Sequence, residues 1–189
     1  MGFPKALLPL CGGTFLTHIL DTLEEAGLEN PVVVLGKHAT YIEPQIAGRM
    51  VRILINENPG LGQISSVQLA VQTLSSDCSG CLIWPVDQPM ISARVVQDLI
   101  GLFYRSEALI VHPTYGEKRG HPVIFHHSLF WELLHCPVES GARSVLMKHI
   151  GDTVELPTSE TGTVADIDTP EDYFNLTGQI LDSSGLRTN

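Results

Sequence analysis

The chain has 189 residues, of which 43% are hydrophobic and 17% are charged. This length suits one α/β domain, and the composition excludes a disordered chain, because disordered chains combine low hydrophobicity with high charge. Eleven Lys and Arg against 21 Asp and Glu give a formal charge of −10 without any basic cluster, so nucleic acid is not an expected partner.

An association with membranes is not expected either. No apolar run reaches the roughly 20 residues that span a bilayer, and the N-terminus lacks the small-residue cleavage site of a signal peptide. We therefore expect a cytoplasmic protein. Cys78 and Cys81 have CxxC spacing, but no second ligand pair follows them, so we interpret them as reduced, incidental thiols.

Helical and strand patterns alternate through the first part of the chain. Thr14 is expected to cap a helix over 15–26, with apolar residues at helical spacing and Gly27 after its end. Strands that alternate with helices of about a dozen residues indicate βαβ units on a mostly parallel sheet. The other elements predicted in this part are strands at 31–35, 51–55, 81–86 and 108–111 and helices at 63–74 and 93–104.

The second part of the chain has a mixed pattern. A strand at 122–125 precedes two short helices at 128–134 and 142–149, a short strand follows at 154–156, and a last helix is predicted over 169–181. No linker-like stretch interrupts the sequence. The sequence thus predicts a single domain over all 189 residues.

Three aspartates are candidate metal ligands. Ligands of an open parallel sheet bind outside the carboxyl ends of its strands, and Asp87 directly follows the third predicted strand. A carboxylate there could hold a hard cation such as Mg²⁺; alternatively, it caps the next helix or bonds its own turn. Asp166 and Asp168 repel each other unless they are exposed or share a cation, so one of them could be a second ligand.

Two segments are candidates for contact with phosphate. The loop at Gly62 and Gln63 runs into a helix with Ser65 and Ser66 in its first turn, and N–H groups at a helix start attract phosphate or a polar ring edge. An ordinary strand-to-helix turn would explain the same residues. Lys5 stands in an apolar segment with prolines, where its ammonium could neutralise phosphate; the alternative is a solvated lysine near a terminus.

The segment before the strand at 122–125 is a candidate for substrate contact. Gly120 permits close backbone approach, and His121 could bind substrate or be a hydrogen-bonded loop histidine. Arg143, at a predicted helix start, is a candidate anion contact or a plain surface charge.

Six segments of the chain together carry a family resemblance. They are Met1-Gly-Phe-Pro-Lys-Ala-Leu-Leu-Pro, Gly62-Gln-Ile-Ser-Ser66, Pro85-Val-Asp-Gln-Pro89, Arg119-Gly-His-Pro122, Gly141-Ala-Arg143 and Asp166-Ile-Asp-Thr-Pro-Glu-Asp172. No single segment is specific, but they span nearly the whole chain. In this order they resemble the nucleotidyltransferases that modify the molybdenum cofactor, specifically the cytidylyltransferase branch.

The resemblance implies a fold and a reaction. The fold would be a Rossmann-like three-layer αβα sandwich of the glycosyltransferase-A type, with a mostly parallel sheet and an antiparallel strand in the second part. The reaction would transfer a nucleoside monophosphate from an NTP, with CTP favoured, to a phosphorylated pterin-type acceptor, with Mg²⁺ required and pyrophosphate released. A molybdoenzyme or its maturation chaperone would be a protein partner.

The resemblance also implies roles for individual residues. Lys5 and Asp87 would be catalytic, and Asp87 would hold the metal together with Asp166 or Asp168. The residues implied near the nucleotide are Gly2, Lys5, Gly62, Gln63, Ser65 and Ser66. Those implied on the acceptor side are Gln88, Gly120, His121 and Arg143.

The N-terminus departs from the family pattern. Members begin with a strand and a glycine-rich loop of the form L-A-A-G-x-S-x-R-M-G, of which this chain carries only Met1-Gly2. The strand would lie in the middle of the sheet. Three explanations are open: a misassigned start or a truncation, a shortened paralogue that binds a ligand without catalysis, or another protomer or element that fills the gap. We favour the first, because the later loops keep residues suited to the chemistry. A third function, the same reaction on a sugar phosphate, also remains open.

Overall fold

The structure is a computed structural model that describes residues 3–181 and 187–188. Its α-helices are α1 (Phe15–Glu25), α2 (Ala39–Ile42), α3 (Gln63–Val71), α4 (Ala93–Arg105), α5 (Phe130–His135), α6 (Gly141–Lys148) and α7 (Pro170–Thr177). Its strands are β1 (Pro9–Leu10), β2 (Gly13–Thr14), β3 (Val32–Leu35), β4 (Arg52–Ile55), β5 (Gly80–Ile83), β6 (Ile110–Tyr115), β7 (Lys118–Arg119), β8 (Val123–His126), β9 (Thr153–Pro157), β10 (Ile180–Leu181) and β11 (Arg187–Thr188). None of the described helices is long and apolar enough to cross a membrane.

Helix α1 begins where the sequence predicts. The hydroxyl oxygen of Thr14 accepts a hydrogen bond from the Thr17 backbone N–H at 3.3 Å, and Thr17 Oγ1 accepts one from the Thr14 N–H at 2.7 Å. This reciprocal capping satisfies two N–H groups that the first helical turn leaves without partners. The apolar face of α1, with Ile19 at its centre, packs against Val33 and Leu35 of β3.

The main sheet has five strands. Their order is β5–β8–β6–β7, and β9 also pairs with β6. Strand β8 runs antiparallel to both β5 and β6, whereas β9 runs parallel to β6. Strands β5, β6 and β9 therefore share one direction, and β7 and β8 run opposite to them. The sheet is therefore mixed, and the predicted antiparallel strand in the second part of the chain is present as β8.

Helices cover both faces of the main sheet. Successive residues of a strand point to opposite faces. Accordingly, Val111 and Ile124 pack in the cluster that contains α4. Their neighbours Ile110, Val123 and Phe125 pack in a second cluster, which contains residues of α3, α5 and α6. This arrangement confirms the predicted three-layer αβα architecture.

A separate parallel sheet is formed by β3 and β4. Strand β3 is covered by α1, whereas Ile53 and Ile55 of β4 are 37% and 47% exposed. Within the described residues, neither strand pairs with the main sheet. Leu82 of β5 nevertheless packs against the same apolar cluster as β3. The two sheets thus share a core without sharing a hydrogen-bonded edge.

Three elements end at least three residues earlier than the sequence predicts. Helix α3 stops at Val71 and not at 74. The third predicted strand stops at Ile83, because Pro85 has no N–H to donate to a neighbouring strand. The last helix stops at Thr177 and not at 181, because Gly178 adopts a left-handed conformation with φ of 69° and closes the helix. Strand β10 follows it and pairs with β11.

Strand β6 ends later than the sequence predicts. The sequence predicts a strand at 108–111, but β6 continues to Tyr115 through His112 and Pro113. Pro113 lacks an N–H, but its carbonyl accepts a hydrogen bond from the Gly120 N–H at 2.8 Å. As a result, His112 is a fully buried residue of a central strand.

Candidate active site

Lys5 lies between two of the predicted aspartates. A 3₁₀ turn over Lys5–Leu7 follows Pro4 and brings the side chain to them. Its Nζ donates hydrogen bonds to Asp87 Oδ2 at 3.0 Å and to Asp168 Oδ1. Partial burial disfavours the ammonium, but the hydrogen bonds and charges of Asp168 and Asp87 outweigh this effect and raise the pKa of Lys5. Three residues that the sequence singles out separately therefore form one cluster.

Asp87 is fixed by its backbone as well as by Lys5. Its carbonyl accepts a hydrogen bond from the Ile167 N–H at 2.9 Å, which joins the loop after β5 to the segment before α7. The N-cap of α4 is Ser92, whose hydroxyl accepts a hydrogen bond from the Val95 N–H at 3.3 Å. The alternative that Asp87 caps this helix is thus wrong.

Asp166 has a different partner from Asp168. Gln88 Nε2 donates a hydrogen bond to Asp166 Oδ1 at 2.7 Å, and Trp84 Nε1 donates one to the Gln88 carbonyl at 2.8 Å. The Gln88 side chain is buried. In this structure Gln88 thus orients the Asp166 carboxylate, whereas the family resemblance implies a contact with the substrate.

The donor set around Lys5 suits a hard cation. Asp87 and Asp168 direct carboxylate oxygens at one positive charge, the Lys5 ammonium. Carboxylate oxygens are the ligands that Mg²⁺ prefers in proteins. No group of three His, Cys, Asp or Glu side chains in the described part of the chain is arranged to hold a metal ion. The fit accordingly rests on two carboxylates, with room for other ligands to come from a bound substrate or water.

The two serines at the start of α3 are bound to a buried asparagine. Asn56 Nδ2 donates to Ser65 Oγ at 2.8 Å and to Ser66 Oγ at 3.0 Å, and Asn56 Oδ1 accepts from the Asn58 N–H at 2.9 Å. These bonds fix the loop, and Gly62, with φ of 83°, turns the chain into α3. Sequence reasoning missed Asn56, although its position directly after a strand was the available signal.

The backbone at Gly120 lies against that of Thr163. A Cβ atom on Gly120 would stand 2.4 Å from the Thr163 carbonyl oxygen, and the His121 N–H donates to the same oxygen at 2.8 Å. The close approach that the sequence predicts at Gly120 is present, with the chain's own backbone as the partner. Burial lowers the pKa of His121, although the charges of Asp166 and Asp87 oppose this effect.

A cavity of about 820 Å³ lies beside this loop. Residues of α3, β7 and α6 line it, and Ile83, Val123 and Phe125 of the main sheet contribute apolar surface. It brings together four of the predicted site residues, Gln63, Gly120, His121 and Arg143. The polar side chains in its lining include Gln63, His112, Arg119, His121, Arg143 and Glu155.

The predicted residues thus fall into three adjoining groups. Lys5, Asp87 and Asp168 form the charged cluster, and Gln88 with Asp166 stands next to it. The cavity group contains Gln63, Gly120, His121 and Arg143. Gly62, Ser65 and Ser66 form the turn into α3, and Gly2 lies outside the described residues.

Comparison with known proteins gives a consistent result. A family model described as MobA-like NTP transferase domain matches residues 1–154. A protein of Rhodopirellula baltica named as a probable molybdenum cofactor guanylyltransferase is 34% identical over 185 residues, which cover 91% of this chain and 86% of that protein.

Solved structures show the same fold. The manganese complex of Rv0371c from Mycobacterium tuberculosis is similar with a TM-score of 0.80 and 23% identity, over 94% of this chain and 92% of that one. A nucleotidyl transferase from Methanothermobacter is similar with a TM-score of 0.78 and 20% identity, over 92% of this chain and 83% of that one. The fold is therefore the Rossmann-like, glycosyltransferase-A type that the sequence predicts.

Proposed function

Since this chain belongs to the MobA-like NTP transferase family and is a nucleotidyltransferase, we propose that it transfers CMP from CTP to the phosphate of a molybdopterin-type acceptor. A divalent metal ion, Mg²⁺, would be its cofactor. The observation that carries this proposal is the position of Lys5 between Asp87 and Asp168. The charge of Asp87 also acts on His121, which lines the large cavity together with Arg143. The product would pass to a molybdoenzyme or its maturation chaperone.

The reaction exchanges one phosphoric anhydride bond for another. An oxygen of the acceptor phosphate attacks the α-phosphorus of the NTP, a bond forms between them, and the bond to the β-phosphate breaks and releases pyrophosphate. The protein must hold two anionic groups in line and neutralise their charge. Lys5 supplies a fixed positive charge on a protein whose formal charge is −10. Arg143 supplies another at the cavity.

The two aspartates would hold the metal ion. Asp87 and Asp168 both bond to the Lys5 ammonium in this structure, whereas Asp166 bonds to Gln88. The pair proposed as metal ligands is therefore Asp87 and Asp168. A bound Mg²⁺ would polarise the phosphates and offset their negative charge. With the carboxylates occupied in that way, the Lys5 ammonium would be released from them to contact the triphosphate.

The choice of base separates two close proposals. The six sequence segments resemble the cytidylyltransferase branch and support CTP. The relative from Rhodopirellula baltica is named as a guanylyltransferase, which makes GTP the main competitor. Calorimetric titration with CTP, GTP, ATP and UTP, each with Mg²⁺, decides between them. Binding of CTP at least 10-fold tighter than GTP is expected, and the reverse order would overturn the choice of base.

Turnover tests the reaction and its acceptor. Pyrophosphate release is expected only when CTP, Mg²⁺ and a molybdopterin-type phosphate are all present. Release with a sugar 1-phosphate and not with the pterin would move the acceptor to the sugar class. Saturable binding of a nucleotide without release on any acceptor would favour a binding protein that lacks catalysis.

A substitution in the cluster tests the metal site. In Asp87→Asn, turnover is expected to fall at least about 100-fold, because the carboxylate that holds the cation loses its charge. Asp98→Asn is the matched control, since Asp98 is an exposed residue of α4 whose closest cationic partner, Arg94, is 3.8 Å away. Equal turnover of the two variants would contradict the assignment of Asp87.

A further inference from the structure

His112 has one ring nitrogen bound and one free. Its Nδ1 lies 3.0 Å from the Pro113 carbonyl oxygen. A carbonyl oxygen can only accept a hydrogen bond, so Nδ1 carries the proton. In the neutral ring, Nε2 is then a hydrogen-bond acceptor with an unused lone pair.

Nothing in the described part of the chain uses that lone pair. The side chain is fully buried, and Nε2 has no hydrogen-bond partner there. The Glu155 carboxylate oxygen is 3.9 Å from Nε2, which is beyond hydrogen-bond range, and the same oxygen lies 3.6 Å from Arg119 Nε. Buried polar atoms are rarely left unpaired, so Nε2 calls for a partner from outside the chain.

His112 also lines the large cavity. The strand residues Ile83, Val123 and Phe125 line the same cavity with apolar surface. An acceptor nitrogen beside apolar walls suits a flat ring whose edge carries an N–H or O–H group. It does not suit a phosphate group, because the phosphate oxygens and the Nε2 lone pair repel each other.

We propose that His112 Nε2 accepts a hydrogen bond from an N–H or O–H group on the ring of the acceptor and thereby selects acceptors that carry such a donor. This inference rests on the proposed function for the presence of a phosphorylated ring in the cavity. His112 acts here as a specificity residue that contacts the acceptor away from its phosphate. A site built around a buried hydrogen-bonding group discriminates strongly against a ligand that lacks the matching group.

Two variants separate the hydrogen bond from the packing. His112→Phe keeps a ring of similar size and removes Nε2, while the Pro113 carbonyl retains the Gly120 N–H. His112→Gln places an amide oxygen, also an acceptor, near the position of Nε2. If the role of His112 were structural, both variants would lose stability and would lose all ligands alike.

The probes are two phosphates that differ in their ring donors. Hydroxymethylpterin phosphate has N–H groups, and benzyl phosphate has a ring without a donor. By calorimetry, the wild-type chain is expected to bind the pterin phosphate at least 10-fold tighter than benzyl phosphate. In His112→Phe this preference is expected to vanish, with the affinity for CTP and Mg²⁺ within twofold of wild type, and His112→Gln should restore most of the preference.

The outcomes distinguish this inference from the proposed function. An equal preference in wild type and His112→Phe would overturn the role of His112 and leave the proposed function intact; Nε2 would then bind only water. No binding of the pterin phosphate to the wild-type chain, with CTP bound normally, would overturn the proposed acceptor and this inference with it. If His112→Phe fails to fold, His112→Leu, which also lacks a hydrogen-bond acceptor, takes its place, and an undiminished preference for the pterin phosphate in that variant would overturn the role of His112.

Discussion

Replacement of Gly120 by alanine should disrupt the loop that joins the two halves of the site. The new Cβ would stand 2.4 Å from Thr163 O, whereas ordinary contact begins at 3.4 Å, so the two backbones must separate by about 1 Å. That movement stretches the hydrogen bond from the His121 N–H to Thr163 O, now 2.8 Å, beyond hydrogen-bond range. Overpacking costs about 1–3 kcal/mol and the lost bond about 1 kcal/mol, so unfolding should become easier by about 2–4 kcal/mol.

Urea unfolding measures this loss, and Gly151→Ala is the control. Gly151 lies in a short 3₁₀ turn, and a Cβ atom there meets nothing within 4 Å. Its replacement should change stability by no more than about 0.5 kcal/mol. The same variants assayed for turnover should show a loss only for Gly120→Ala, because His121 moves with the loop. If Gly120→Ala were as stable and as active as Gly151→Ala, the close approach would have no role in holding the site.

Two further predictions concern stability and thiol reactivity. Tyr173→Phe removes a buried hydroxyl that donates a hydrogen bond to the Pro9 carbonyl oxygen at 2.8 Å, so the free energy of unfolding should fall by about 1 kcal/mol and Tm by about 3 °C. Tyr104→Phe, at a residue that is 70% exposed, should change neither quantity. Equal Tm values for the two variants would contradict this role of the Tyr173 hydroxyl. Burial raises the pKa of the Cys81 thiol to about 12, so the thiol stays protonated at pH 8. Iodoacetamide should therefore label the exposed Cys11 and spare Cys81, as measured by mass spectrometry of the peptides. Equal labelling of the two cysteines would contradict the burial of Cys81.

The elements that the sequence predicts well have local signals. The cap at Thr14 follows from a hydroxyl residue before a helical pattern, and it is present as a capping box. The position of Asp87 directly after a predicted strand is also a local signal, and its carboxylate lies beside Lys5 in the structure. Such signals need only neighbouring residues, so they survive without any knowledge of tertiary contacts.

The features that the sequence does not predict depend on distant contacts. The sequence predicts that the strand ends before His112 and Pro113. In the structure β6 continues over both residues, because they pair with β9 and the Pro113 carbonyl accepts a hydrogen bond from the Gly120 N–H. The role of Asn56 likewise depends on two serines in the next helix. Spacing along the chain also cannot predict which of Asp166 and Asp168 bonds to which partner. Their partners, Gln88 and Lys5, come from other segments of the chain.

The short segment from Thr163 to Ile167 connects the charged cluster to the cavity. Thr163 O accepts the His121 N–H at the cavity, and four residues later the Ile167 N–H donates to the Asp87 carbonyl at 2.9 Å. Both bonds are between backbone atoms, so they fix distances that flexible side chains would leave variable. Transfer between two bound phosphates requires such fixed distances, since misplacement of the reacting atoms by 1 Å can cost about 100-fold in rate. The missing side chain at Gly120 is what lets this segment lie close enough to make the first bond.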